Sequence, residues 1–174
     1  QLAIENVGQA PGGVGFYQPG IGLTGYFSTT RVRLTAARAE ITLIEGGNPT
    51  ARLEAIGPTQ AKVNFLIGEE AAWRVDTPVY GGIGYRDLYP GIDLVYVADG
   101  RNLNAEFVVA AGADPARIRL RFARSGSIRP DAAGGLRIRA GERQWHWQAV
   151  LRQNHRGRPT TAHAEFSVDG GEAV

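Results

Sequence analysis

Between Tyr85 and Phe107 the chain reads Tyr-Arg-Asp-Leu-Tyr-Pro-Gly-Ile-Asp-Leu-Val-Tyr-Val-Ala-Asp-Gly-Arg-Asn-Leu-Asn-Ala-Glu-Phe, and this stretch limits the fold more than any other. Asp99-Gly100 supplies the positive φ that a tight hairpin needs, so two strands are expected to fold back on one another across Ala98 to Arg101. Pro90-Gly91 sets the corner before them, because proline cannot donate to a ladder and glycine accepts almost any dihedral. The residues from Tyr85 to that corner read as a loop feeding the first strand.

The rest of the chain repeats this grammar of short apolar alternations cut by turn residues. Arg31 to Thr35 and Ala39 to Ile44 form an expected hairpin with Val32, Leu34, Ile41 and Leu43 inward, and with Arg33 and Glu40 placed to pair on the outer face. Arg52 to Ile56 and Lys62 to Ile67 read as two strands split by Gly57-Pro58. In Arg117 to Phe122 the residues Ile118, Leu120 and Phe122 share one face and Arg117, Arg119 and Arg121 the other; Leu136 to Ala140 repeats the pattern with Arg137 and Arg139 outward. Helical content is expected only as brief turns at Glu69 to Trp73 and at Asp114-Pro115-Ala116, with Trp73 closing one end of the core. With 174 residues, 43% of them hydrophobic, 24 glycines and 9 prolines, the chain suits one core made of many short strands. The expected fold is therefore a single all-β domain over residues 1–174, an antiparallel β-sandwich or open barrel of ten or more strands. Residues 1–12 are read as either a first strand or a detached N-terminal arm. No fixed-period repeat points to a propeller.

Tyr85-Arg86-Asp87, Tyr89-Pro90-Gly91-Ile92-Asp93-Leu94-Val95-Tyr96, Glu106-Phe107-Val108-Val109, Gly112-Ala113-Asp114-Pro115 and Ile118-Arg119-Leu120-Arg121-Phe122 together carry a resemblance. So do Glu5-Asn6-Val7-Gly8-Gln9, Lys62-Val63-Asn64-Phe65-Leu66-Ile67-Gly68, and Trp73 followed by Thr77-Pro78-Val79-Tyr80. The chain resembles an uncharacterised all-β domain found near the N-terminus of large secreted bacterial proteins, where it precedes SBBP-type β-propeller repeats. After Arg143 the likeness weakens, since His146-Trp147 stands where that family shows Lys-Pro and then Tyr-Gln. The resemblance implies an exported module, extracellular or at the cell surface, and brings no catalytic residues with it. Its usual closing strand is expected beyond Val174.

Composition narrows the chemistry further. The absence of cysteine excludes disulfides, thiolate metal sites and a cysteine nucleophile. A net charge of +2, with one lysine among 19 basic residues, is too small to imply nucleic-acid binding. No run approaches the ~20 apolar residues of a membrane helix. Lacking a leader and any methionine, the chain is expected to be the processed part of an exported protein.

Five constellations remain. Arg117, Arg119, Arg121, Arg137 and Arg139 make a candidate basic strip for an anionic glycan or an acidic partner surface, unless Glu106 and Glu165 neutralise them. Trp145 and Trp147, two apart in a strand, make a candidate glycan platform, unless both belong to the core. Asp87, Asp93 and Asp99 lack the spacing of a calcium loop, and turn caps or Arg86 and Arg101 partners explain them. His146, His155 and His163 show no paired-ligand spacing, and no serine motif suggests a nucleophile, so neither enzyme nor cofactor is expected. Finally, Leu2, Ile4 and Val7 are apolar in an arm followed by Gly8 to Gly13, a candidate for strand addition into a neighbouring copy and hence for a filament. The expected partners are other protein chains, copies of itself included, with glycan as the alternative.

Overall fold

The structure, a computed structural model, describes residues 2–20, 24–36, 39–43, 47–99, 102–121, 127–130, 135–140, 143–147, 149–155, 158–163, 168–169 and 172–173. Among these the protein is all-β, with two 3₁₀ turns, Glu70–Ala72 and Pro115–Arg117, as its helical content. The first strands are β1 (Ala3–Glu5), β2 (Phe16–Gln18), β3 (Thr24–Ser28), β4 (Arg31–Ala36) and β5 (Ala39–Leu43). Two long strands follow, β6 (Arg52–Phe65) and β7 (Arg74–Tyr89), and then β8 (Ile92–Asp99) and β9 (Asn102–Val109). The later strands are β10 (Leu120–Arg121), β11 (Ser127–Pro130), β12 (Leu136–Ala140), β13 (Arg143–Trp147), β14 (Ala149–His155), β15 (Arg158–His163), β16 (Val168–Asp169) and β17 (Glu172–Ala173).

β7 is the axis of the main sheet. One of its edges pairs with β6 from Arg86 back to Arg74, while the other edge changes partner midway. β8 follows that second edge from Tyr89 to Gly82, and β1 takes over at Tyr80 and Val79. Gly81-Gly82 sits at the change. A Cβ at Gly82 would lie 2.5 Å from the Tyr96 carbonyl oxygen, so the two backbones approach where only glycine fits. Opposite, Gly57 takes φ +64° with its carbonyl oxygen 3.5 Å from where a Gly81 Cβ would stand. Side-chain-free backbone on both strands lets them approach closely where the second edge of β7 changes partner. The limb β7-β8-β9-β14-β15 and the limb β7-β1-β2-β3-β4-β5 thus belong to one curled sheet, an open half-barrel.

Inside the curl the limbs meet through aromatic rings. Phe27 of β3 stands edge-on to Tyr96 of β8 at 5.2 Å between centroids, and Tyr85 of β7 packs edge-on to Tyr96 at 6.4 Å. Ile83, Leu88, Ile92, Leu94 and Phe107 join them, all fully buried, with Val32 from the other limb. The Tyr85 hydroxyl donates to the Ser28 carbonyl at 2.9 Å, a polar tie between the limbs. The Tyr96 hydroxyl has no hydrogen-bond partner among the described residues.

Burial, and then the neighbouring tyrosine, raises the Tyr85 and Tyr96 hydroxyls well above their ordinary range. Both groups therefore hold their protons more tightly folded than unfolded. The stability this represents is complete below the unfolded value near pH ~10 and is lost as pH rises above it, at about 1.4 kcal/mol per pH unit for each tyrosine. A thermal midpoint steady from pH 7 to 9 that falls steeply above pH ~10 is expected. Tyr96→Phe should make that fall shallower without lowering stability at pH 7, because the removed hydroxyl was unpaired. A variant that keeps the parental slope would show that Tyr96 ionises freely in the folded protein.

The 92–109 hairpin forms in the expected place, but Asp99 pairs with Asn102, so the connection is residues 100–101 and Asp99 belongs to the strand. The segment from Tyr85 to Tyr89, read as a loop, is instead the end of β7. Its alternation is hidden by a register shift at Asp87, where φ is +55° and the backbone N–H donates to Asp93 at 2.8 Å, so that Leu88 and Tyr89 are both buried. Pro90-Gly91 then closes a tight turn between Tyr89 and Ile92, with Gly91 at φ +71°. The two strands expected at 52–56 and 62–67 are one, β6: Gly57-Pro58 keeps its register with β7, and the irregularities fall between Pro58 and Lys62 and between Val63 and Phe65. The β4–β5 hairpin has Val32 and Leu34 buried, but Glu40 faces Thr35 and Arg33 faces Thr42. Among the described residues one ladder is parallel: β14 pairs with β9, a geometry that requires the long connection from Val109 to Ala149.

Candidate functional site

The β6–β7 hairpin carries the most exposed apolar surface among the described residues. Leu66 is 55% exposed, Ile67 75%, Val75 59% and Trp73 39%, all within the ten residues that turn β6 into β7. This tip is ordered by polar ties and not by apolar packing. The Trp73 indole N–H donates to the Gly68 carbonyl at 3.3 Å, and the Asp76 backbone N–H donates to the Asn64 side chain at 2.8 Å. Arg74 reaches back, its Nε donating to the Val7 carbonyl at 2.9 Å and its Nη1 to Ala72 and Trp73 carbonyls at 3.0 Å. Val7 is itself exposed, which extends the apolar surface toward the N-terminal strand. Exposed apolar residues gathered at one ordered tip mark an interaction surface more often than a solvated one. Trp73, expected to close the core, belongs to this tip instead, because Glu70–Ala72 turns it away from the curl.

The hairpin also presents a long free edge. β6 pairs with β7 alone, so the N–H and C=O groups of its other side face no strand among the described residues. Gly57-Pro58 and Lys62 interrupt that edge, features that limit uncontrolled pairing.

The N-terminal residues take the first of the two readings given for them. Ala3–Glu5 is laid between β2 and β7 with both edges paired, and Ala3 and Ile4 are buried. Leu2 and Val7 flank it, exposed. A strand inserted in its own sheet has no edge to lend a neighbour, which corrects the detached assembly arm of Leu2, Ile4 and Val7.

The basic strip is divided. Arg117 lies in the Pro115–Arg117 turn, where the Asp114 carboxylate accepts the Ala116 N–H at 3.0 Å and starts a 3₁₀ turn in place of a strand. Arg119 follows it, Arg121 ends β10, and Arg137 and Arg139 are exposed on β12 of a different sheet. Period-two alternation over 117–122 is thus overridden by a proline-led cap. Glu106, offered as a counter-charge to the strip, pairs with Arg152, whose Nε and Nη2 each stand 3.0 Å from one of its oxygens. Trp145 and Trp147 lie opposite Ile138 and Leu136 in the β12–β13 ladder, while their side chains lie outside the described residues. Glu165 lies outside them too.

Arg86 accounts for two of the three aspartates. Its Nη1 stands 2.9 Å from Asp93, its Nε donates to Glu54, and Asp93 holds the backbone at Asp87. Donating hydrogen bonds to Asp93 first and to Glu54 second raises the Arg86 guanidinium above its usual value.

Sequence reasoning missed the exposed tip. Its signal was present in Leu66-Ile67, two adjacent apolar residues that no single strand face can bury, followed by Gly68-Glu69-Glu70. No helix among the described residues is long and apolar enough to cross a membrane. No curated protein and no solved structure matches the chain. The model of one family, a domain of unknown function (DUF7948), matches residues 4–174, and the chain belongs to that family.

Proposed function

We propose that this domain is a non-catalytic structural or interaction module of a secreted bacterial protein, displayed outside the cell, and that it associates with a second copy of its own chain through the β6–β7 hairpin. The observation that carries the reading is the ordered apolar tip of Leu66, Ile67, Trp73 and Val75 beside the edge of β6 that faces no strand among the described residues. An edge of this length recruits another strand by main-chain hydrogen bonds, and apolar residues beside it add the buried surface that association needs. Antiparallel pairing of β6 with its own copy is isologous and closes at a dimer, so the assembly is finite where donation of an N-terminal arm would propagate a filament. The extracellular setting rests on the resemblance to domains that precede SBBP-type β-propeller repeats in secreted proteins. In that setting the module would hold two long repeat-bearing chains side by side.

Sedimentation velocity over a concentration series tests this. The parent chain should pass from monomer to dimer, and the double variant Ile67→Asp with Val75→Asp should weaken that equilibrium by a factor of about 10 or more, since two exposed apolar contacts become charges. A parent that stays monomeric at every soluble concentration overturns the reading. Undiminished dimerisation of the double variant would move the interface elsewhere.

A further inference from the structure

β3 and β4 lie with Tyr26 opposite Arg33 and Ser28 opposite Arg31, so these four residues occupy one face of the sheet. It is the outer face, since Phe27 and Val32, on the other, are fully buried. The Pro11–Val14 turn stands over it, closed by the Val14 N–H donating to the Pro11 carbonyl at 3.3 Å and allowed by Gly13 at φ +80°. Between turn and strands lies a cleft of about 280 Å³, with Gly12 and Gly13 on one wall and Ser28, Thr30, Arg31 and Arg33 on the other. A Cβ built on either glycine meets nothing within 4 Å, so the mouth is unobstructed.

The two arginines dominate the cleft. No acidic residue lines it, and neither guanidinium has a carboxylate partner among the described residues. Two like charges side by side on one strand face repel each other unless something of opposite charge joins them. Arg33 is also held in place: its guanidinium lies 4.7 Å over the Tyr26 ring, and that ring is stacked on Tyr17 at 6.5 Å and 23°. Stacking consumes none of its N–H donors, so the planar fork stays oriented at little entropic cost. The Ser28 hydroxyl donates to the Arg31 carbonyl at 2.9 Å, which fixes the connection that carries Thr30.

We propose that this cleft binds a small oxyanion, a phosphate or sulfate group or the carboxylate of an acidic sugar, between the Arg31 and Arg33 guanidiniums. Thr30 supplies a hydroxyl donor, and the fork geometry of arginine matches two oxygens of such a group at once. The site is separate from the β6–β7 hairpin and does not depend on dimerisation.

The test is a nuclear magnetic resonance titration of the full chain at constant ionic strength, following the amides of residues 12–14 and 30–33. The probes are inorganic phosphate, sulfate, acetate, glucuronate and, as the neutral control, glucose. Saturable shifts confined to those amides are expected, with Arg31→Gln and Arg33→Gln each weakening binding by about tenfold or more and Arg33→Lys weakening it less. Arg137→Gln, on a different sheet, should leave it unchanged. Tighter binding of glucuronate than of acetate identifies an acidic sugar as the source, and tighter binding of phosphate or sulfate a tetrahedral anion. Shifts that do not saturate, that glucose reproduces, or that Arg137→Gln reduces as much overturn the proposal. Should Arg33→Gln unfold the chain, the exposed Arg31 decides the matter alone.

Discussion

Replacing Phe27 with alanine is expected to lower the unfolding free energy by about 3–5 kcal/mol, the range for deleting a fully buried phenylalanine ring. Phe27 is completely buried, and its ring is the contact by which β3 reaches Tyr96 on the opposite limb. The ring also lies against Gly25, whose added Cβ would stand 2.8 Å from it, so the space it leaves is bounded by backbone that cannot move in to fill it. A domain of this size has about 5–15 kcal/mol in total, so the variant should sit near the limit of folding at 25 °C. Tyr26→Ala, the next residue on the outer face, should cost far less. Urea denaturation of the two variants measures the contrast. Similar losses for both would mean that the limbs do not meet through this ring.

Gly82→Ala is expected to cost about 3 kcal/mol, at the upper end for overpacking, since the obstacle is a main-chain carbonyl held in a ladder. The added Cβ would stand 2.5 Å from the Tyr96 oxygen, and β8 can yield only by giving up its register with β7. Gly12→Ala is the matched control. It adds a methyl group into open space and should change stability by no more than ~0.5 kcal/mol. If Gly82→Ala were as mild as that control, the close approach of β7 to β8 would not be a requirement of the fold.

These two positions also separate what could be read early from what could not. Strand content, the 92–109 hairpin, the inward Val32 and Leu34, and both 3₁₀ turns followed from local rules of alternation, capping and turn chemistry. Asp114-Pro115 announced its turn and still misled, because the arginine alternation beginning at Arg117 looked like a strand while the cap had already committed the backbone. The close approach was written as Gly81-Gly82, yet a glycine pair reads equally as a loop or a bulge until a second strand lies beside it. The candidate cleft was less legible still. Arg33 was read on the outer face of its strand, but neither Arg31 beside it nor the Pro11–Val14 turn that makes the face concave was recognised, since that turn comes from a distant part of the chain.

By itself, then, the sequence determined that the fold is all-β, where several of the turns fall, and which side of β4 is buried. Only the tertiary structure decided that β1 lies between β2 and β7, that β14 joins β9 in parallel, and that one edge of β6 faces no strand among the described residues. The reason is physical: side chains alternate across a strand and so record which face meets the core, whereas the edges carry the same N–H and C=O groups at nearly every residue. Which strand lies beside which is therefore set by the closure of the whole sheet around Phe27, Tyr85 and Tyr96, and no local run of residues contains it.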